Sequence, residues 1–183
     1  MSASRTGRRT FLSAAGGAAL SGYVQPAAAA SPVPTQPLHR RVVTGLNAVG
    51  KSVVISDGPV PREGTWASND RCGSELWLLR RIPVDLKDQN DPIAGHPVEE
   101  LPPAGGLFVR MFTWQPGAGF DMHRTPTLDF VIIVSGRLEL LLDTGTVQLG
   151  PGDCVVQRGT SHGWRVMGDE PCTLVGVFVL AKA

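Results

Sequence analysis

The chain has 183 residues and a mass of 19.4 kDa, with 42% hydrophobic and 18% charged residues, which suits one domain with its own core and excludes a disordered chain. Its formal net charge is +1, yet Arg5, Arg8 and Arg9 stand in a first thirty residues that contain no acid, so 14 of the 17 basic residues face 16 acidic ones in the remainder. No basic patch survives that subtraction, which excludes nucleic acid as a partner.

At the N-terminus, GRRTFLSAAGGAALSGYV places Arg8 and Arg9 before Phe11 and Leu12 and a Gly-rich, modestly apolar run. QPAAAAS then offers small residues for cleavage after Ala30. The run is shorter than the roughly 20 apolar residues that span a bilayer, so residues 1–30 are expected to be a processed leader, with no membrane association afterwards. The segment resembles a twin-arginine signal, with Gly7 where that pattern has Ser or Thr. The resemblance implies export to the periplasm or the exterior.

Residues 31–106 are expected to form a Pro-rich linker, SPVPTQPLHR, and an N-terminal β arm with short strands in RRVVT, KSVVIS and ELWLLRR. Between the first two strands, GLNAVGKS fits the phosphate-loop pattern, with Gly45, Gly50, Lys51 and Ser52 at its fixed places. A phosphate loop needs a helix behind it, whose N-terminal N–H groups hold the phosphates. The residues behind this one are VVISDGPVPREG, a β-branched run and then helix breakers. The stretch is therefore read as a hairpin connection. Residues 82–106, with five prolines, are expected to be an irregular crossing segment.

From Leu107 the pattern becomes densely β, with LFVRMFTW, LDFVIIVS, RLELLL, TVQL, DCVVQ, HGWRVM and CTLVGVFVL separated by Gly, Pro and Asp turns. Seven close-spaced strands with no helical period predict an all-β sandwich or barrel over residues 107–183. DFVIIV and LVGVFVL are apolar at consecutive positions, so both their faces need cover, from the N-terminal strands or from a second subunit in a homodimer. Cys72, Cys154 and Cys172 show no metal-ligand spacing, and Cys154 and Cys172 read as small core residues; a bridge between those two stays open. GTSHG fits the nucleophile-elbow pattern but precedes a strand rather than a helix. Asp143-Thr144-Gly145, which resembles the aspartic protease signature, is read as hairpin turn chemistry.

Two of the four histidines lie in distinctive settings within the dense β region. His123 stands in GFDMHRTPTLDFVIIVSG and His162 in PGDCVVQRGTSHGW. These stretches resemble the two motifs of the cupin family over residues 107–180, most specifically in LGPGDCVVQRGTSH. The resemblance implies a jelly-roll barrel, a double-stranded β-helix. It also implies metal ligands at His123, His162 and Asp129, the last in place of the family's glutamate, with Thr125 where the family has a second histidine. Two imidazoles and a carboxylate suit a divalent transition metal such as Fe, Mn, Ni or Zn.

Around these groups the expected pocket contains Thr125, Trp164, Met111 and Arg158, with Trp114 and Met122 near the mouth. Residues 123, 125, 127 and 129 share strand parity, although Pro126 interrupts them. The aromatic and sulfur side chains favour a flat apolar or aromatic ligand. Three functions stay open: a metal-dependent oxygenase or decarboxylase, a metal-free cyclase or isomerase with His123 or His162 as catalytic base, and a non-catalytic small-molecule binder.

Overall fold

Alternation of inward apolar and outward polar side chains builds the molecule from strands, and the computed structural model describes residues 39–182. The leader reading of residues 1–30 and most of the linker lie outside the described residues. Strands β1 (Arg40–Leu46) and β2 (Ser52–Pro59) form a separate antiparallel hairpin. At its tip, the Asn47 side-chain oxygen accepts hydrogen bonds from the main-chain N–H groups of Val49 and Lys51, at 3.1 and 2.9 Å. The P-loop-like GLNAVGKS is thus a turn between strands.

A six-stranded sheet runs in the order β10 (Cys154–Arg158), β7 (Thr127–Ser135), β12 (Cys172–Leu180), β5 (Leu107–Trp114), β4 (Arg71–Leu79), β3 (Thr65–Ala67). It faces a four-stranded sheet of β6 (Gly119–His123), β11 (His162–Val166), β8 (Leu138–Leu142) and β9 (Gly145–Leu149). All the pairings are antiparallel, and the two sheets close a jelly-roll barrel. Strands β3 and β4, which precede residue 107, extend the larger sheet. Trp114, Val131, Ile133, Leu138, Leu140, Trp164, Val166 and Leu174 fill the space between the sheets.

Four features depart from the sequence-based expectation. Strands β3 and β6 were not among the expected runs, because neither carries a recognisable apolar pattern and each exists through pairing with a neighbour. The shared face considered for residues 123, 125, 127 and 129 does not form: β6 ends at His123 and β7 begins at Thr127 in the opposite sheet. Pro126, which has no N–H to give a ladder, stands at the crossing. Cys154 is exposed rather than core, since residues 154, 156 and 158 face outward on the edge strand β10, and all three cysteines are free.

Candidate functional site

Alternate residues of β5 point into the barrel, so Phe108, Arg110, Phe112 and Trp114 line one wall of a cavity of about 170 Å³. Leu174 and Phe178 from β12 and Asp129 and Val131 from β7 continue that wall. The facing sheet supplies Phe120, His123, His162 and Trp164, while Thr125 comes from the crossing between the sheets and Thr127 from the start of β7. Edge-to-face and tilted rings run along the cavity in sequence: Phe112–Trp114 at 5.9 Å, Trp114–Phe120 at 5.4 Å, Phe120–His123 at 5.8 Å, His123–His162 at 4.4 Å and His162–Trp164 at 5.6 Å between centroids. Phe120 and Leu101 are half exposed and form part of the rim.

The two histidines meet because β6 and β11 approach closely. His162 pairs with His123 in register, and a bulge separates that pair from Trp164 opposite Phe120. The close approach requires Gly119, where a Cβ would lie 1.9 Å from the Trp164 carbonyl oxygen. The turn before β11 uses Gly159 at φ +62°, a conformation that favours glycine.

Each imidazole is oriented by main chain. His123 donates Nδ1–H to the Asp121 carbonyl at 2.8 Å, and His162 donates Nδ1–H to the Thr160 carbonyl at 2.9 Å. That tautomer leaves both Nε2 atoms as acceptors. Gln157, buried and paired in register with Asp129, donates from its amide to the same Thr160 carbonyl and to the Thr160 hydroxyl, bracing the turn that holds His162. Burial lowers the pKa of His162 below its ordinary value of 6.5, assisted by the neighbouring His123 and opposed by the Thr160 bond and Asp129. His162 is therefore neutral at pH 7.

Asp129 is 3% exposed, and its Oδ1 is buried without a hydrogen-bond partner. Burial raises its pKa, offset in part by the Thr127 and Thr125 hydroxyls and the two imidazoles. Arg110 shows the same kind of deficit. Its Nη2 donates to Glu75 at 3.2 Å and to the Glu99 carbonyl, its guanidinium lies 3.8 Å over the Phe108 ring, and its Nε is buried without a partner.

Of the expected pocket residues, His123, Thr125, Asp129, His162 and Trp164 line this cavity together, as does Trp114. Met111 does not, because it has the opposite parity to Arg110 and Phe112 on β5. Arg158 lies instead in a separate cleft with Pro126 and Lys182, and Met122 is half exposed outside the cavity lining. Sequence reasoning missed Arg110, Phe112, Phe120 and Thr127. The parity of Trp114 along LFVRMFTW carried the signal for Arg110 and Phe112.

The expected ligand triad is not assembled. Among the described residues no three His, Cys, Asp or Glu side chains come together as a group able to hold a metal ion. His123 and His162 share the smaller sheet, whereas Asp129 stands on β7 in the larger one. The carboxylate stands on the other wall of the cavity, near enough to interact electrostatically with both imidazoles without closing a ligand set with them.

Residues 110–178 match the family model described as Cupin domain. The cupin-domain-containing oxidoreductase srdD of Neurospora crassa is 35% identical over 128 residues, 68% of this chain and 64% of that protein. Oryzines biosynthesis cluster protein J of Aspergillus oryzae is 42% identical over 83 residues, 45% of each chain. The chain thus spans about half to two thirds of the length of these curated relatives. Among solved structures, the Schizosaccharomyces pombe Cnp3 cupin domain aligns with a TM-score of 0.48 and 12% identity, covering 77% of this chain and 87% of that one.

Proposed function

We propose that this chain, which belongs to the cupin family, is an enzyme that moves a proton on a small aromatic or apolar molecule held in the barrel, with His162 as general base and His123 beside it. The observation that carries this reading is the pair of Nε2 acceptors, fixed by main-chain bonds at Nδ1, on rings 4.4 Å apart in an aromatic cavity. A neutral imidazole whose acceptor faces the ligand is ready to take a proton. The imidazolium formed at His162 would keep its bond to the Thr160 carbonyl and gain from Asp129 nearby. A cavity of about 170 Å³ compares with the roughly 150 Å³ that holds a benzene ring, so one ring or the reacting end of a larger molecule fits. Cyclisation and isomerisation are the reaction classes that such proton transfer serves.

The test is solvent-deuterium incorporation into benzoylacetone, which has one ring and an acidic C–H, followed by NMR in D2O. The parent should exchange the probe faster than buffer, and His162→Phe should abolish the excess. Equal rates for parent and variant reject the proton-transfer reading. A probe that quenches the tryptophan emission without exchange points to the non-catalytic binder.

A second reading keeps the metal. Imidazoles that donate Nδ1–H to a carbonyl and present Nε2 are oriented as metal-ligating histidines are. In that reading His123 and His162 would hold a divalent Fe, Mn, Ni or Zn ion, with Asp129 on the facing wall, and the ion would supply Lewis-acid or redox chemistry for an oxygenase or decarboxylase. The name of srdD as an oxidoreductase is in keeping with it. Metal analysis of the purified protein and the effect of a chelator on exchange separate the two readings.

The proposal extends to export by the Arg8-Arg9 signal and to a homodimer. Supporting the dimer, Ile132 (40%), Val134 (49%) and Val156 (54%) stay exposed on the outward face of the larger sheet, where the apolar run of β7 called for cover.

A further inference from the structure

Among the described residues, three buried side-chain polar atoms lack a hydrogen-bond partner: Arg41 Nε, Arg110 Nε and Asp129 Oδ1. Two of the three belong to residues that line the cavity. Arg110 is the only cationic side chain in that lining. Its side chain is 11% exposed and its partner Glu75 only 4%, and such a pair is a poor stabilising device, because desolvating two ions costs about as much as their attraction returns. Of the guanidinium donors, those with protein partners are on Nη2 alone. The planar face is taken by Phe108.

We propose that Arg110 is a ligand-binding residue that receives a carbonyl oxygen of the substrate, which makes the substrate class small aryl ketones and related neutral carbonyl compounds. The inference rests on the proton-transfer reading and deepens it. A ligand filling so small a cavity touches both walls, with its oxygen toward Arg110 on β5 and its acidic C–H toward His162 on β11. When His162 Nε2 takes the proton, the C–H bonding pair moves into the new C–C double bond and the carbonyl π pair to oxygen. The resulting enolate is then held by the N–H donors of Arg110 Nη1, which carry no protein partner. Return of the proton to the same carbon gives exchange. In a ketone with a β,γ double bond, whose dienolate carries charge on the γ-carbon as well, return to that carbon completes an isomerisation with no oxidant or reductant. Carboxylic acids are disfavoured, because Glu75 and Glu99 already place negative charge beside the one guanidinium.

The experiment compares acetophenone with ethylbenzene, which differ in the carbonyl alone, by quenching of the cavity tryptophans. The parent should prefer the ketone by about tenfold or more, the scale of a hydrogen bond from a charged donor. Arg110→Met should erase that preference while ethylbenzene binding stays within about twofold. If the lone Glu75 prevents that variant from folding, Arg110→Met with Glu75→Leu removes both charges and carries the same expectation. A parent without ketone preference, no binding of acetophenone, or equal loss of both ligands in the variant overturns the inference. Exchange lost in His162→Phe without any ketone preference would defeat this inference and leave proton transfer standing; preference without exchange would do the reverse.

Discussion

Replacing Asp129 by Asn should make the protein more stable and less active. The carboxylate is 3% exposed with Oδ1 unpartnered, and burial raises its pKa above the ordinary 3.8. A raised carboxylate pKa means that the folded state holds the proton more tightly than the unfolded state. Its contribution is therefore most favourable below pH 3.8 and is lost as pH rises through the folded value. Above that value the fold bears the full cost of a buried charge, on the order of 1–3 kcal/mol for a polar group without its partner. Asn keeps the shape and removes the charge. At about 2–4 °C per kcal/mol for a chain of this size, the melting temperature at pH 7.5 should rise by roughly 2–12 °C. The difference between variant and parent should shrink toward pH 4 as Asp129 protonates in the parent. Thermal melts followed by near-ultraviolet circular dichroism across that range read both effects. A variant less stable than the parent at pH 7.5, or a difference independent of pH, would refute the reasoning.

Activity should rise with pH through the depressed pKa of His162 and reach its plateau by neutrality, because the base must be unprotonated; a rate-pH profile for benzoylacetone exchange with its midpoint above 6.5 contradicts this. Gly119→Ala should cost about 3 kcal/mol and disorder the His123–His162 pairing, since its Cβ would meet the Trp164 carbonyl; denaturant unfolding measures the loss. Replacing Arg8 and Arg9 together by Lys should leave full-length protein in the cytoplasm, and fractionation showing equal export of both forms counts against the signal.

The strand pattern after Leu107 was legible because short β-branched and apolar runs are bounded by turns that carry Gly, Pro or Asp, which are local properties. His162 was legible for the same reason: Gly159 supplies the left-handed turn that starts β11. Strand β6 was not, because GFDMH has no apolar alternation and owes its extended form to its ladder with β11, the neighbouring strand of the same sheet. Its placement decides the chemistry. On one regular strand, Asp129 would share a face with His123 and complete a ligand set. With the chain crossing sheets at Pro126, it faces the histidines from the opposite wall instead. Arg110 was hidden for a related reason, as a lone cation inside LFVRMFTW reads as a solvated residue until its partner Glu75 is known, 35 residues away on β4. What the sequence could not carry is thus non-local: which wall each polar group stands on. That placement sets Asp129 on the wall opposite the two imidazoles, and the proposed roles of His162 and Arg110 both rest on it.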